Sequence, residues 1–152
     1  MSCLADTNVL LRYVQQNHEM YEAAFGALDS LIRRGETVAI VPQNIAEFWN
    51  VCTRPSNQNG LGLTPAETDE RVSKLESLLT ILPDIPAIYP EWRKLVVTHS
   101  VLGVRVHDAR IVAAMNVHGV KDIVTFNVDD YLRYPRIRVL HPTDLVPKPE
   151  ES

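Results

Sequence analysis

A strand-length apolar run, Cys3-Leu4-Ala5, stops at the carboxylate of Asp6 and passes through a polar Thr7-Asn8 step into a second apolar run, Val9-Leu10-Leu11, which can open a helix. This constrains the fold more than any other stretch. An apolar strand running straight into a helix belongs to α/β architecture, where the carboxyl edge of a sheet is where ligands bind. Asp6 is then either a helix cap or the first member of a site. The rest of the chain has to decide between them.

Strand and helix patterns alternate down the sequence. Residues 18–34 carry Tyr21, Ala24, Phe25, Leu28, Leu31 and Ile32 at helical spacing, with Gly35 as the stop. Thr37 to Val41 reads as a buried strand. A helix follows from near Asn44, with Ile45, Phe48, Trp49 and Cys52 on its inner face and Arg54-Pro55 at its end. Residues 55–62 have linker composition and predict an exposed, mobile loop. Thr64-Pro65-Ala66-Glu67 is a capping box opening a helix that buries Val72, Leu75, Leu78, Leu79 and Leu82 and closes at Pro83. Pro86 to Tyr89 predicts a short irregular strand, and Pro90 a helix with Trp92, Leu95, Val96 and His99 on one side. The segment from Val101 to Val106 leads to His107-Asp108. Ala109 to Val117 is apolar nearly all round, as a helix between layers should be, and Gly119 ends it. Ile123 to Phe126 predicts a strand, Asn127 to Tyr131 a polar turn, and Ile137 to Leu140 an edge strand. Together these elements predict a three-layer α/β/α sandwich with a central parallel sheet, as one domain over residues 1–146, and a flexible C-terminal tail over 147–152.

Several function classes are disfavoured. With 45% hydrophobic and 22% charged residues the chain is that of a globular protein, and no apolar run approaches the roughly 18 residues of a membrane span. The N-terminal stretch has no secretory features, so a cytoplasmic location is expected. Cys3 and Cys52 form no metal-ligand spacing and predict reduced core residues. A net charge of -4 argues against coating nucleic acid by bulk positive charge, though not against a nuclease whose acids hold cations.

Four polar stations stand at equivalent places in separate units: Asp6, Glu47, Asp108, and Asn127 with Asp129 and Asp130. Strand ends leading into helix N-termini gather on one edge of a parallel sheet, so the stations can converge. Clustered carboxylates raise one another's pKa and are tolerable when a cation sits among them. Oxygen donors without His or Cys point to Mg²⁺ or Mn²⁺. Each station also has a plainer explanation. Asp6 can cap a helix, Glu47 can complete a capping box with Asn44, Asp108 can serve a helix dipole, and Asp129 or Asp130 can be solvated turn residues.

The segments Asp6-Thr7-Asn8-Val9-Leu10-Leu11, Asn44 to Val51, His107 to Met115, and Thr125 to Tyr131 resemble the ordered motifs of PIN-domain ribonucleases, especially the VapC-like toxins of toxin-antitoxin pairs. The resemblance runs from residue 3 to about residue 142. It implies a metal-dependent endoribonuclease using Mg²⁺ or Mn²⁺, with Asp6, Glu47 and Asp108 as the acidic triad and Thr7 or Asn8 orienting Asp6. Asp130 matches the Asp of an Asp-aromatic pair and joins the catalytic set. Asn127 and Asp129 are further metal-ligand candidates, but many relatives carry an acid where this chain has Asn127, which leaves a second metal open. Arg12, Arg105 and Arg110, besides Arg54 and Arg133, are candidates to meet the RNA backbone. Relatives also pair with a small antitoxin and commonly form homodimers, so both partners are expected, with no membrane. The alternative is a catalytically impaired PIN scaffold that binds RNA or protein. A haloacid-dehalogenase type of phosphohydrolase is disfavoured because its Asp-x-Asp start meets Asn8 here.

Overall fold

The computed structural model describes residues 2–146. Side chains alternate across its strands, and both faces are apolar. Cys3, Ala5, Val38, Ile40 and Val124 enter one buried cluster, while Leu4, Val41 and Ile123 enter the other. A sheet apolar on both sides must be covered on both sides. It is built from β1 (Ser2–Ala5), β2 (Thr37–Ile40), β3 (Thr80–Ile81), β4 (Asp122–Val124) and β5 (Arg138–Leu140). All neighbours pair in parallel, in the order β3-β2-β1-β4-β5.

One face is covered by α1 (Thr7–Tyr13), α2 (Tyr21–Arg33), α3 (Pro42–Thr53), α4 (Pro65–Leu78) and α7 (Pro142–Leu145). They contribute Val9, Leu10, Leu28, Leu31, Phe48, Val72, Leu75 and Leu145 to that core. The other face is covered by α5 (Ile88–Thr98) and α6 (Val106–His118), through Ile88, Leu95 and the unbroken run Ile111 to Met115. This is the expected α/β/α sandwich. Each large apolar side chain so buried contributes about 1.5–3 kcal/mol, and the central position of α6 explains why its sequence shows almost no polar face. Among the described residues no helix is long and apolar enough to cross a membrane.

The strand order places the site. From β1 the chain builds outward through β2 and β3, then crosses back to lay β4 on the other side of β1. The carboxyl ends of β1 and β4 therefore flank the point where strand order reverses, which opens a crevice in such sheets. Asp6 follows β1 directly, and its N–H donates to Val124 O of β4 at 3.0 Å.

Several local expectations need correction. The third helix starts at Pro42, with Pro at its first position and Val41 as cap, instead of near Asn44. Asn44 is the reciprocal partner, its Oδ1 accepting from Val41 N at 2.9 Å, so Glu47 belongs to no capping box. The fourth helix ends at Leu78, and Thr80–Ile81 beyond it form the edge strand β3. Leu78 is exposed, while Leu79 is buried. No strand forms at 86–89; α5 already begins at Ile88 and takes Pro90 into its first turn. The 55–62 loop is exposed but tied back, with Leu61 N donating to Val51 O and Leu63 N to Cys52 O at 3.0 and 2.8 Å. Gly60 makes that close approach, since a Cβ there would lie 1.9 Å from Arg54 O. Both cysteines are buried free thiols, and burial pushes that of Cys52 up to about 11. The expected tail at 147–152 lies outside the described residues.

Candidate active site

Asp6 is both a cap and a buried charge. It sits in extended backbone between β1 and α1, and its Oδ1 accepts from Thr7 N at 2.9 Å. Its Oδ2 accepts from Thr125 Oγ1 at 2.8 Å and from Asn8 Nδ2 at 3.3 Å. Thr125 and Asn8 are themselves pinned: Asn8 Oδ1 accepts from Phe126 N at 3.0 Å, and Thr125 Oγ1 accepts from Asn127 N at 3.0 Å. The residue is only 6% exposed. Burial pushes its pKa up to about 6, the donors from Thr125, Thr7 and Tyr131 pull it partly back, and the charge of Glu47 adds to the rise. Among the described residues Asp6 has no salt-bridge partner.

Glu47 faces this cradle from the second turn of α3. Its Oε2 accepts from Thr7 Oγ1 at 3.3 Å, and Asn44 Nδ2 fixes that hydroxyl at 3.1 Å. Its Oε1 accepts from Gln43 Nε2 at 2.8 Å. Gln43 also donates to His107 O at 2.8 Å and accepts from Arg110 Nη1 at 3.2 Å, so one glutamine links α3 to the head of α6. Asp108 lies in the first turn of α6. Its pKa is raised, by burial first, with the charges of Asp130 and Glu47 adding to the effect and Arg105 opposing it. Asp130 ends the turn Val128–Asp130 and pairs with Arg105 Nη1 at 2.7 Å.

The phenol of Tyr131 is buried among these acids, 1% exposed. The charges of Asp6, Asp108 and Glu47 all oppose its ionisation, after burial itself. Its hydroxyl lies near enough to Asp6 to help hold that charge, yet it makes no well-formed hydrogen bond among the described residues. A buried hydroxyl left this way needs a partner such as a water in the site.

Of the residues expected in the site, the fold thus links Asp6, Thr7, Asn8, Glu47, Asp108 and Asp130. The gathering is looser than expected: among the described residues no three His, Cys, Asp or Glu side chains stand close enough to clasp one ion together. Asn127 and Asp129 are exposed. They line the 520 Å³ recess next to the acids, together with Arg105, Asp130 and His141. Arg110 touches the network through Gln43 and also reaches Asp84 at 3.5 Å. Arg12 bonds Gln15 at 2.7 Å at the far end of α1, which removes it from the site's hydrogen-bond network. Thr125, Gln43 and the Tyr131 hydroxyl were not singled out from the sequence. Tyr131 is too buried to stack an RNA base.

The PIN domain model matches residues 3–137, which is most of the chain. The chain belongs to the PIN-domain family. Solved structures agree on the fold. Rickettsia felis VapBC2 bound to a promoter DNA fragment is 15% identical over 93% of this chain and 98% of that one, with a TM-score of 0.71. A Klebsiella pneumoniae toxin-antitoxin complex is 19% identical over 92% of this chain and 97% of that one, with a TM-score of 0.64. Mycobacterium tuberculosis VapC20, a sarcin-ricin loop cleaving toxin, is 13% identical over 80% of this chain and 86% of that one, with a TM-score of 0.58. No curated protein matches the chain.

The residues present fit a hard divalent cation. The donors are all oxygen, and among the described residues Asp6 is a buried carboxylate without a cationic partner and the Tyr131 hydroxyl beside it is unsatisfied. Mg²⁺ keeps several waters and is commonly held by one or two carboxylates, so a clasp of three is not needed.

Proposed function

We propose that this PIN-domain protein is an endoribonuclease dependent on Mg²⁺ or Mn²⁺, of the VapC-like toxin kind. The observation that carries the reading is Asp6: a side chain nine-tenths buried at the reversal point of the sheet, without a counter-charge among the described residues, in electrostatic contact with Glu47. Ionising such a group at neutral pH is costly unless a cation sits beside it. The nuclease reading is further supported by the M. tuberculosis relative, whose name describes a toxin that cleaves the sarcin-ricin loop.

Asp6 and Asp108 would hold the ion. Once bound, it supplies Lewis acidity, making a water easier to deprotonate and offsetting charge on the phosphate. The chain's own groups do the rest. Thr7, Asn8 and Thr125 lock the orientation of Asp6. Glu47, steadied by Gln43 through Oε1 and Thr7 through Oε2, positions the attacking water and accepts its proton. Arg105 and Arg110, at the edge of the site, meet the RNA backbone, a role the acidic chain must assign to local groups. Partners of this chain, on the same reading, are RNA, a small antitoxin like those in the R. felis and K. pneumoniae complexes, and a second copy of itself.

Cleavage of a fluorescently end-labelled single-stranded RNA, with Mn²⁺, with EDTA and with Asp108→Asn, tests this. The proposal expects cutting that stops with chelator, returns with Mn²⁺ and is lost in the variant. Cutting indifferent to chelator overturns the metal. RNA binding without cutting under any divalent ion favours the impaired binding module, for which the neutral Asn127 is the motivating residue.

A further inference from the structure

The two acids at the head of α6 and in the turn after β4 share one atom. Arg105 Nη1 lies 2.7 Å from Asp130 Oδ2 and 3.4 Å from Asp108 Oδ2. In two-ion nucleases a second metal ion about 3.5–4 Å from the first adds positive charge to the site; here a guanidinium bridges two of the site's carboxylates. We propose that Arg105 is itself the second cation of this centre, so that the site takes one divalent ion and not two. The inference rests on the metal-dependent reading above.

Three observations carry it. First, the arginine is placed by local backbone: the turn Gly103–Arg105 opens on Gly103 in the left-handed region, at φ 57°, and leads directly into α6, which sets Arg105 one turn from Asp108. Second, the acids it joins are largely shielded from water, each 24% exposed, while the arginine itself is 47% exposed and open to the recess. Third, the station that would add charge for a second ion carries the neutral Asn127, which is exposed and makes no side-chain hydrogen bond among the described residues. A second divalent ion between Asp108 and Asp130 would have to displace a guanidinium already paired with both. Guanidinium has five N–H donors, and Arg105 engages the acids through Nη1, which leaves Nε and Nη2 for a phosphate oxygen. Arg105 thereby supplies the charge stabilisation that a second ion gives elsewhere.

The test is the number of Mn²⁺ ions bound at pH 7.5, counted by EPR of free Mn²⁺ in titrations of wild type, Arg105→Lys and Arg105→Gln, with near-UV circular dichroism to show that each is folded. Wild type and Arg105→Lys, which keeps the positive charge, are expected to bind one ion. Arg105→Gln is expected to bind two. Two ions in wild type, or one in Arg105→Gln, overturn the role of Arg105 while leaving metal dependence standing. Two ions in Arg105→Lys also overturn it, because charge alone then fails to hold the position. No ion in wild type overturns the metal-dependent reading itself and this inference with it.

Discussion

Asp6→Asn should make the metal-free protein more stable at neutral pH. The carboxyl's pKa rises from 3.8 to about 6 on folding, so the folded state binds its proton more tightly than the unfolded chain. Stability from this group is complete below the unfolded value and is lost as pH climbs through about 6. At 1.36 kcal/mol per unit the loss is about 3 kcal/mol above pH 7. Asparagine cannot ionise and escapes it. It also cannot satisfy every donor around Asp6: with its carbonyl toward Thr125 and Asn8, its amide faces the Thr7 N–H. That mismatch costs about 1 kcal/mol and does not change with pH. The variant's advantage over wild type in EDTA should therefore grow by about 2.4 kcal/mol between pH 4 and pH 7.5, then level off. For a chain of this size that corresponds to roughly 5–10 °C in melting temperature. Urea and thermal unfolding followed by circular dichroism across this range measure it. Adding Mn²⁺ at pH 7.5 should restore wild type and leave Asp6→Asn unmoved. A difference between the two proteins that stays flat with pH would refute the reasoning, because burial would then not penalise the charge.

Other consequences follow from the same contacts. Thr125→Val keeps the shape but removes the donor to Asp6 Oδ2; the Asp6 titration, followed by carboxyl carbon NMR, should move above its wild-type midpoint of about 6. Gln43→Ala frees Glu47 and Arg110 together, and RNA cleavage should fall about 10- to 100-fold, the usual cost of losing an outer partner in a metal site, with little change in melting temperature. Gly60→Ala sets a methyl against Arg54 O and should cost on the order of 1–3 kcal/mol in urea unfolding, without effect on metal binding.

The layers of this fold were readable wherever burial dictates pattern. The apolar run of α6 and the short apolar strand β1 announce their positions because both are covered on every side. Legibility failed at edges. Thr80 and Ile81 are exposed, so no alternation marks β3, and the helical spacing before them masks where α4 stops. The start of α3 was misplaced because asparagine is a favoured cap; here proline at the first helical position prevails and Asn44 bonds backward instead. The site divides in the same way. Asp6, Glu47, Asp108 and Asp130 stand out by residue type and by their place after strands or in early helical turns. Thr125 and Gln43 carry no such mark. Their partners lie 119 residues away, at Asp6, and 64 residues away, at His107, and only the assembled sheet reveals them. Within the last station Asp130 pairs with Arg105, which also reaches Asp108, while Asn127 and Asp129 are exposed.

Anomalous diffraction from a crystal soaked in Mn²⁺ at pH 7.5 tests the central claim most directly. The account predicts a Mn²⁺ peak ligated by Asp6 and Asp108, with the Tyr131 hydroxyl hydrogen-bonded to a water in that ion's shell. A well-ordered crystal with no peak at Asp6, or with Mn²⁺ only at the exposed acids of the 127–130 turn, would contradict it.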